Sequence, residues 1–320
     1  MKLCEHPEFR QTILNAAEHF RARGLRAAII EKDYYVTEAL RAVQTHAGAR
    51  IIFKGGTSLT KGWDLIERFS EDVDLFLDPE AWQPRLDDKK TTLEMKLLRD
   101  QVGKVTGLSH DPASSRSGTI GRSESFTYSR QFDEPGAVAN RILLETGTAS
   151  GREPTEERPI ESFLAQFMRS SGASFGAEDE APFPMRLLHF RRTFVEKLFA
   201  IHSKVELYRK DPQRGIGTYS RHYYDLACLA VRPEVMEMLA SPEYEAIRQD
   251  YDRISRAHYP RDYHPPPNLR FGESVALFPT GELADFLERE YERQCRMLCF
   301  GKHPPWAEAL RRFEGLKDLL

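Results

Sequence analysis

Ile51-Ile-Phe-Lys-Gly-Gly-Thr-Ser-Leu-Thr-Lys61, followed by Phe69-Ser-Glu-Asp-Val-Asp-Leu-Phe-Leu77, is the stretch on which the fold turns. Ile51, Ile52 and Phe53 form a short β-branched and aromatic run stopped by Gly55-Gly56, which predicts a strand ending in a tight turn. Thr57 or Ser58 then stands where a helix is capped, and the spacing predicts a helix through Leu59, Trp63 and Ile66. From Asp72 to Leu77 polar and apolar residues alternate until Pro79, which reads as a second strand with both aspartates on one face. Strand, glycine turn, helix and Asp-x-Asp strand, in that order, put a small sheet at the centre of the first half.

Outward from this stretch, Pro7 to Gln44 carries apolar residues at helical spacing, Ile13, Ala17 and Phe20 and then Tyr35, Ala39 and Leu40, as two or three leading helices. Downstream, a polar helix is expected around Thr92 to Val102. Strands are expected at Ser125-Phe-Thr-Tyr-Ser129 and Arg141-Ile-Leu-Leu-Glu145, joined by the turn-rich Asp133-Glu-Pro-Gly136. Composition shifts to Ser, Gly, Ala, Glu and Pro between Arg169 and Pro184, so residues 1–168 are read as one domain, 169–184 as a linker and 185–320 as a second domain. Beyond the linker the periodicity is helical, interrupted at the Pro-rich Tyr259 to Asn268 and resuming from Gly281 to Cys299 and from Pro305 onward. The fold class expected is α+β, a small mixed β-sheet domain with a mainly helical C-terminal domain.

The 320 residues suffice for one large or two ordinary cores. A net charge of -3 supplies no global basic field for nucleic acid, so any such contact has to be local. Four cysteines are too sparse for a disulfide framework, and no apolar run approaches the roughly 18 residues that cross a bilayer. The expectation is a soluble, cytoplasmic protein without a membrane segment.

The chemistry is concentrated in the same stretch. A glycine pair at a strand end frees backbone N–H groups, so Gly55, Gly56, Thr57 and Ser58 read as a cradle for a triphosphate, flanked by Lys54 and Lys61. Asp72 and Asp74 project the same way and suit Mg²⁺, a hard cation that prefers oxygen ligands. Glu145, at the end of its strand, is the candidate third carboxylate. Either half alone is ordinary, since Asp-x-Asp is usually a solvated strand face and Gly-Gly usually a turn. Their conjunction points to nucleotidyl transfer, in which metal ions bridge the triphosphate and neutralise the departing pyrophosphate.

These residues resemble the nucleotidyltransferase superfamily of the DNA polymerase β type, and more closely the AbiEii/AbiGii branch, the toxins of type IV toxin–antitoxin and abortive infection systems. The resemblance rests on Glu31-Lys-Asp-Tyr-Tyr-Val-Thr37, Lys54-Gly-Gly-Thr-Ser-Leu-Thr-Lys61 with Ser70-Glu-Asp-Val-Asp74, Thr193-Phe-Val-Glu-Lys197 and Arg221-His-Tyr-Tyr-Asp-Leu226, in family order. Fifteen residues separate Gly56 from Asp72, somewhat more than the superfamily pattern. The resemblance implies a transferase moving a nucleoside monophosphate from an NTP, with the 3′ end of tRNA as acceptor and an antitoxin encoded nearby. It also implies that Lys197 is the active-site lysine and Asp225 the last acidic position, able to orient it. AMP transfer to a protein or small molecule, and a catalytically silent binding module, are the alternatives.

Other features are weaker. Thr193-Phe-Val-Glu196 has capping-box spacing and predicts the start of a helix striped by Phe194, Leu198, Ile201 and Val205. Lys204 lies seven residues past Lys197, on the same flank of that helix, and is inferred from phase alone to reach phosphate in a cleft between the two halves. Lys32 and Asp33 read as a structural ion pair docking the leading helices. Cys295, Cys299 and His303 read as packing residues and not as a zinc set. Arg253, Arg256, His258, Arg261 and His264, interleaved with tyrosines, offer charge and stacking to RNA or form an ordinary polar loop, and the interspersed Asp250, Asp252 and Asp262 favour the loop.

Overall fold

The leading helices form as the spacing predicts, α1 at Phe9–His19 and α2 at Ala27–Ala47, and they precede a seven-stranded mixed sheet. The computed structural model describes residues 1–70, 72–118, 120–133 and 139–320, so the expected turn at Asp133-Glu-Pro-Gly136 lies, from Glu134 on, outside the described residues. The chain divides into two compact units, the first comprising Met1–Asp64, Phe69–Thr148 and Thr155–Leu188, the second Leu65–Arg68, Ala149–Pro154 and His189–Leu320.

In the first unit, β1 (Ile51–Lys54) leads directly into α3 (Gly55–Lys61), and the chain returns as β2 (Asp72–Leu77). There follow α4 (Asp88–Val102), β3 (Leu108–Ser117), β4 (Gly121–Tyr128), β5 (Arg141–Gly147), β6 (Thr155–Ile160), α5 (Phe163–Ser171) and β7 (Phe183–Leu188). The sheet order is β3-β4-β5-β2-β1-β7-β6, with β2 parallel to β5, β1 parallel to β7 and the other neighbours antiparallel. One face of the central strands is apolar: Val73, Leu75 and Leu77 of β2 alternate with the half-buried Asp72 and Asp74, and Ile142 and Leu144 of β5 alternate with Leu143 and Glu145. Burying each such side chain stabilises the sheet by roughly 1.5–3 kcal/mol, which fixes the register, because a slip of one residue would turn the aspartates inward.

Two expectations are corrected here. The helix after the glycine pair stops at Lys61 and does not run through Ile66, because Gly62 caps it, Asp64 takes a positive φ of 50° and Trp63 turns its indole N–H to the Leu188 carbonyl at 3.2 Å. Strands β3, β6 and β7 lie outside the strands the sequence predicts. Residues 169–184 belong to the first unit, where Asp179 is buried and accepts from the Tyr34 hydroxyl at 2.6 Å and the Leu3 amide at 2.9 Å.

The second unit is helical: α6 (Phe190–Lys210), α7 (Arg221–Leu229), α8 (Pro233–Leu239), α9 (Pro242–His258), α10 (Gly281–Leu298) and α11 (Trp306–Glu314). Phe194, Leu198, Ile201 and Val205 form the expected buried stripe of α6. The helix begins one turn before Thr193, which is interior and buried. His189 supplies the cap, accepting from the Arg191 amide at 3.3 Å. Phe199 stacks on Tyr251 at 4.6 Å and meets Phe271 edge-on at 4.8 Å, while Tyr223 meets Trp306 at 5.0 Å. Among the described residues no helix is long and apolar enough to cross a membrane, and all four cysteines are free thiols.

Candidate active site

The register of the central strands sets one row of polar side chains. Lys54 of β1 pairs with Asp74 of β2, and Asp74 pairs with Glu145 of β5. Paired residues on neighbouring strands project to the same side and stand about 4.8 Å apart, so the two carboxylates and the ammonium share one face. Asp72 is two residues from Asp74 and on that same face, opposite the buried Val73. Strand register thus brings three carboxylates to one face, an oxygen donor set that suits a hard divalent cation and not a thiolate-seeking one.

The glycine turn is shaped around this row. Gly55 has φ +76°, and a Cβ built on it would stand 1.9 Å from Oδ2 of Asp74. Only glycine lets the backbone approach the carboxylate this closely. Thr57 donates its hydroxyl to the Asp72 carbonyl at 2.5 Å, tying α3 to the start of β2, and the Ser58 hydroxyl donates to the Gly55 carbonyl at 2.9 Å. With both hydroxyls engaged locally, what the loop has left to offer a phosphate is backbone N–H. Lys61, read from the sequence as a phosphate contact, is 3 % exposed at its side chain and paired with Asp33 at 2.5 Å, with a further bond to the Glu161 carbonyl at 3.2 Å. Asp33 also accepts from the Phe163 amide at 2.8 Å. The structural pair of the leading helices is therefore Asp33 with Lys61, while the Lys32 ammonium lies 4.9 Å from the Phe69 ring centroid.

The second unit carries the later motif residues, and there Lys197 and Asp225 meet at 2.8 Å. Asp225 also takes both arms of Arg68, Nε to Oδ1 at 2.6 Å and Nη2 to Oδ2 at 2.7 Å. Lys197 donates to Nδ1 of His222 at 3.2 Å, whereas His222 Nδ1 is 3.7 Å from Asp225, beyond hydrogen-bond length. Burial favours the neutral acid at Asp225, but the charges of Arg68 and Lys197 hold its carboxyl well below the usual range. Burial lowers the Lys197 ammonium despite Asp225. Burial, then the Lys197 charge, pushes His222 down to about 3, which leaves it neutral and able to accept from Lys197. Two buried cations thus share one carboxylate, and removing that carboxylate would strand both.

Arg68 and His222 escape sequence reasoning. His222 sits three residues before Asp225 on α7, a helical spacing that pairs them, whereas nothing local marks Arg68, whose partner lies 157 positions away. Lys204, seven residues along α6 from Lys197, holds its ammonium 5.3 Å from the Tyr219 ring centroid, a cation–π distance. In the polar segment after it, Arg253 pairs with Asp250 at 2.5 Å, Arg256 with Asp252 at 2.8 Å, and Tyr263 donates to Asp252 at 2.8 Å, so its charges are internally balanced.

Residues 38–313 match the family described as nucleotidyl transferase AbiEii toxin, type IV toxin–antitoxin system. Among solved structures, the chain is similar to MenT4, a nucleotidyltransferase toxin from Mycobacterium tuberculosis H37Rv, with 15% identity, coverage of 96% of this chain and 98% of that one, and a TM-score of 0.49. No curated protein matches it.

Proposed function

The chain belongs to the AbiEii family of type IV toxin–antitoxin nucleotidyltransferases, and from that premise we propose that it moves a nucleoside monophosphate from an NTP to the 3′ end of tRNA in a Mg²⁺-dependent reaction. The observation that carries the reading is the row of Lys54, Asp74 and Glu145 in strand register, with Asp72 on the same face.

In this reading Asp72 and Asp74 hold Mg²⁺, which when bound polarises the α-phosphate and neutralises the leaving pyrophosphate. Glu145 acts as the base that takes the proton of the attacking hydroxyl, or as a third ligand. The hydroxyl oxygen bonds to the α-phosphorus as the bond from that phosphorus to the β-phosphate oxygen breaks. Gly55 and Gly56 bring backbone N–H groups to the phosphates, and Lys54 adds a cation on the carboxylate face. Lys197, oriented by Asp225, takes part in the same reaction as a cationic group.

Transfer of α-labelled NTPs, one base at a time, to total tRNA tests this in wild type and Asp74→Ala. Label on the 3′ end that requires Mg²⁺ and vanishes in the variant is expected, with a rate loss of about 10³-fold or more. Label that migrates with protein or as a small molecule would replace the acceptor, and nucleotide binding without turnover would sink the transfer reading. The family carries an antitoxin as partner, so relief of growth arrest by the neighbouring gene product is the matching test in cells.

A further inference from the structure

Cys295 occupies the last turn of α10, and the helix ends because Cys299 takes extended backbone, with φ -74° and ψ 129°. From there the chain folds back. Cys299 forms an antiparallel bridge with Arg68, and the amides of Phe300 and Gly301 donate to the Glu67 carbonyl at 3.0 and 3.2 Å. The Tyr291 hydroxyl of α10 holds the return at the Pro304 carbonyl, 2.5 Å away. This reversal carries His303 back to the helix end, and one ligand atom each of Cys295, Cys299 and His303 lies within 4.8 Å of the others.

We propose that Cys295, Cys299 and His303 bind one zinc-class ion that staples the segment after α10 to Glu67 and Arg68. The donor set decides the class of metal. Two sulfurs and an imidazole select a borderline divalent ion such as Zn²⁺ and are poor ligands for Mg²⁺, so this site and the carboxylate face call for different cations. Bonds of about 2.3 Å to sulfur place two tetrahedral ligands about 3.8 Å apart, so ligand atoms already within 4.8 Å need only small side-chain rotations to close on an ion. Cys295 is buried while Cys299 and His303 are half-buried, which leaves the fourth position open to water. Glu292 lies 3.7 Å from Nε2 of His303, longer than a hydrogen bond, so a side-chain rotation is needed for it to take the ring N–H that the metal does not use, the second partner that metal-bound histidines commonly have. Binding forms two metal–sulfur bonds and releases the two thiol protons to solvent. The ion would fix the backbone beside Arg68, whose guanidinium holds Asp225.

The test uses the full chain, purified with reductant, loaded with Zn²⁺, desalted and analysed for bound metal. About one zinc per chain is expected in wild type and close to none in Cys299→Ser and His303→Ala, both of which change half-buried side chains and leave the core intact. Co²⁺ in place of zinc gives a sulfur-to-metal charge-transfer band in wild type that Cys299→Ser lacks. Added zinc raises the melting temperature of wild type by about 5 °C and leaves the variants unmoved. A wild-type chain that retains no zinc after loading, or variants that bind as much as wild type, overturns the proposal whatever the transferase activity proves to be.

Discussion

Gly55→Ala separates the placement of Asp74 from the stability of the fold. At φ +76° an alanine costs about 1 kcal/mol in backbone strain, and its Cβ would stand 1.9 Å from Asp74 Oδ2 and 2.8 Å from Cγ. Ordinary contact begins near 3.4 Å, so the carboxylate has to move by about 1.5 Å. Displacements of about 1 Å at a reacting centre cost on the order of 100-fold in rate, and that is the expected fall in nucleotidyl transfer. The melting temperature should drop by only about 2 °C. Gly172→Ala is the matched control, because Gly172 has φ +70°, the same kind of strain, and no atom within 4 Å of the added carbon. It should lose similar stability and keep its rate within about twofold. Initial rates with α-labelled NTP, read beside circular dichroism melts, decide the matter. A Gly55→Ala enzyme within about threefold of wild type, or a Gly172→Ala enzyme equally slowed, would refute the steric account.

Asp225→Asn strands the guanidinium of Arg68 and the ammonium of Lys197 in the interior, so urea unfolding should show a loss of about 3–5 kcal/mol, part of which returns when Lys197→Met is added. His202, whose Nδ1 lies 2.6 Å from the Ser274 hydroxyl, is pushed down by burial to about 4, below its unfolded value of about 6.5. Between those values the unfolded chain binds the extra proton, so stability is full above about pH 6.5 and falls by about 1.4 kcal/mol per unit as pH drops towards 4. His202→Gln should flatten that slope in urea midpoints measured across the window.

What the sequence makes legible is local. Ile51–Lys54 and Asp72–Leu77 read directly as strands because turn residues bound them and one face alternates, and the same alternation puts Asp72 and Asp74 on one side. Glu145 reads as a candidate third carboxylate, but its register beside Asp74 depends on a parallel pairing that no short-range signal encodes. Strand β7 is obscured for the same reason. Its partner in β1 is distant in sequence, and Pro184 argues against a strand until its pairing with Pro159 of β6, an edge strand that tolerates proline, is known. Thr193 has the sequence of a helix cap but sits one turn inside α6, since His189 already satisfies the first turn. The cysteine and histidine spacing looks like packing along one helix, and only the reversal after Cys299 turns it into a cluster.

The Leu65–Arg68 segment has a consequence for how the protein is made. It lies between α3 and β2 in the chain yet belongs to the second unit, where Arg68 is clamped by Asp225. On the ribosome the guanidinium emerges 157 residues before its carboxylate, a wait of roughly 10–30 s at ordinary synthesis rates. During that interval the sheet can begin to assemble, but a charge destined for the interior of the second unit stays in water. The second unit is completed only after α7 has been synthesised, so a nascent chain arrested before Asp225 carries Asp72 and Asp74 with the nearby Arg68 still unclamped.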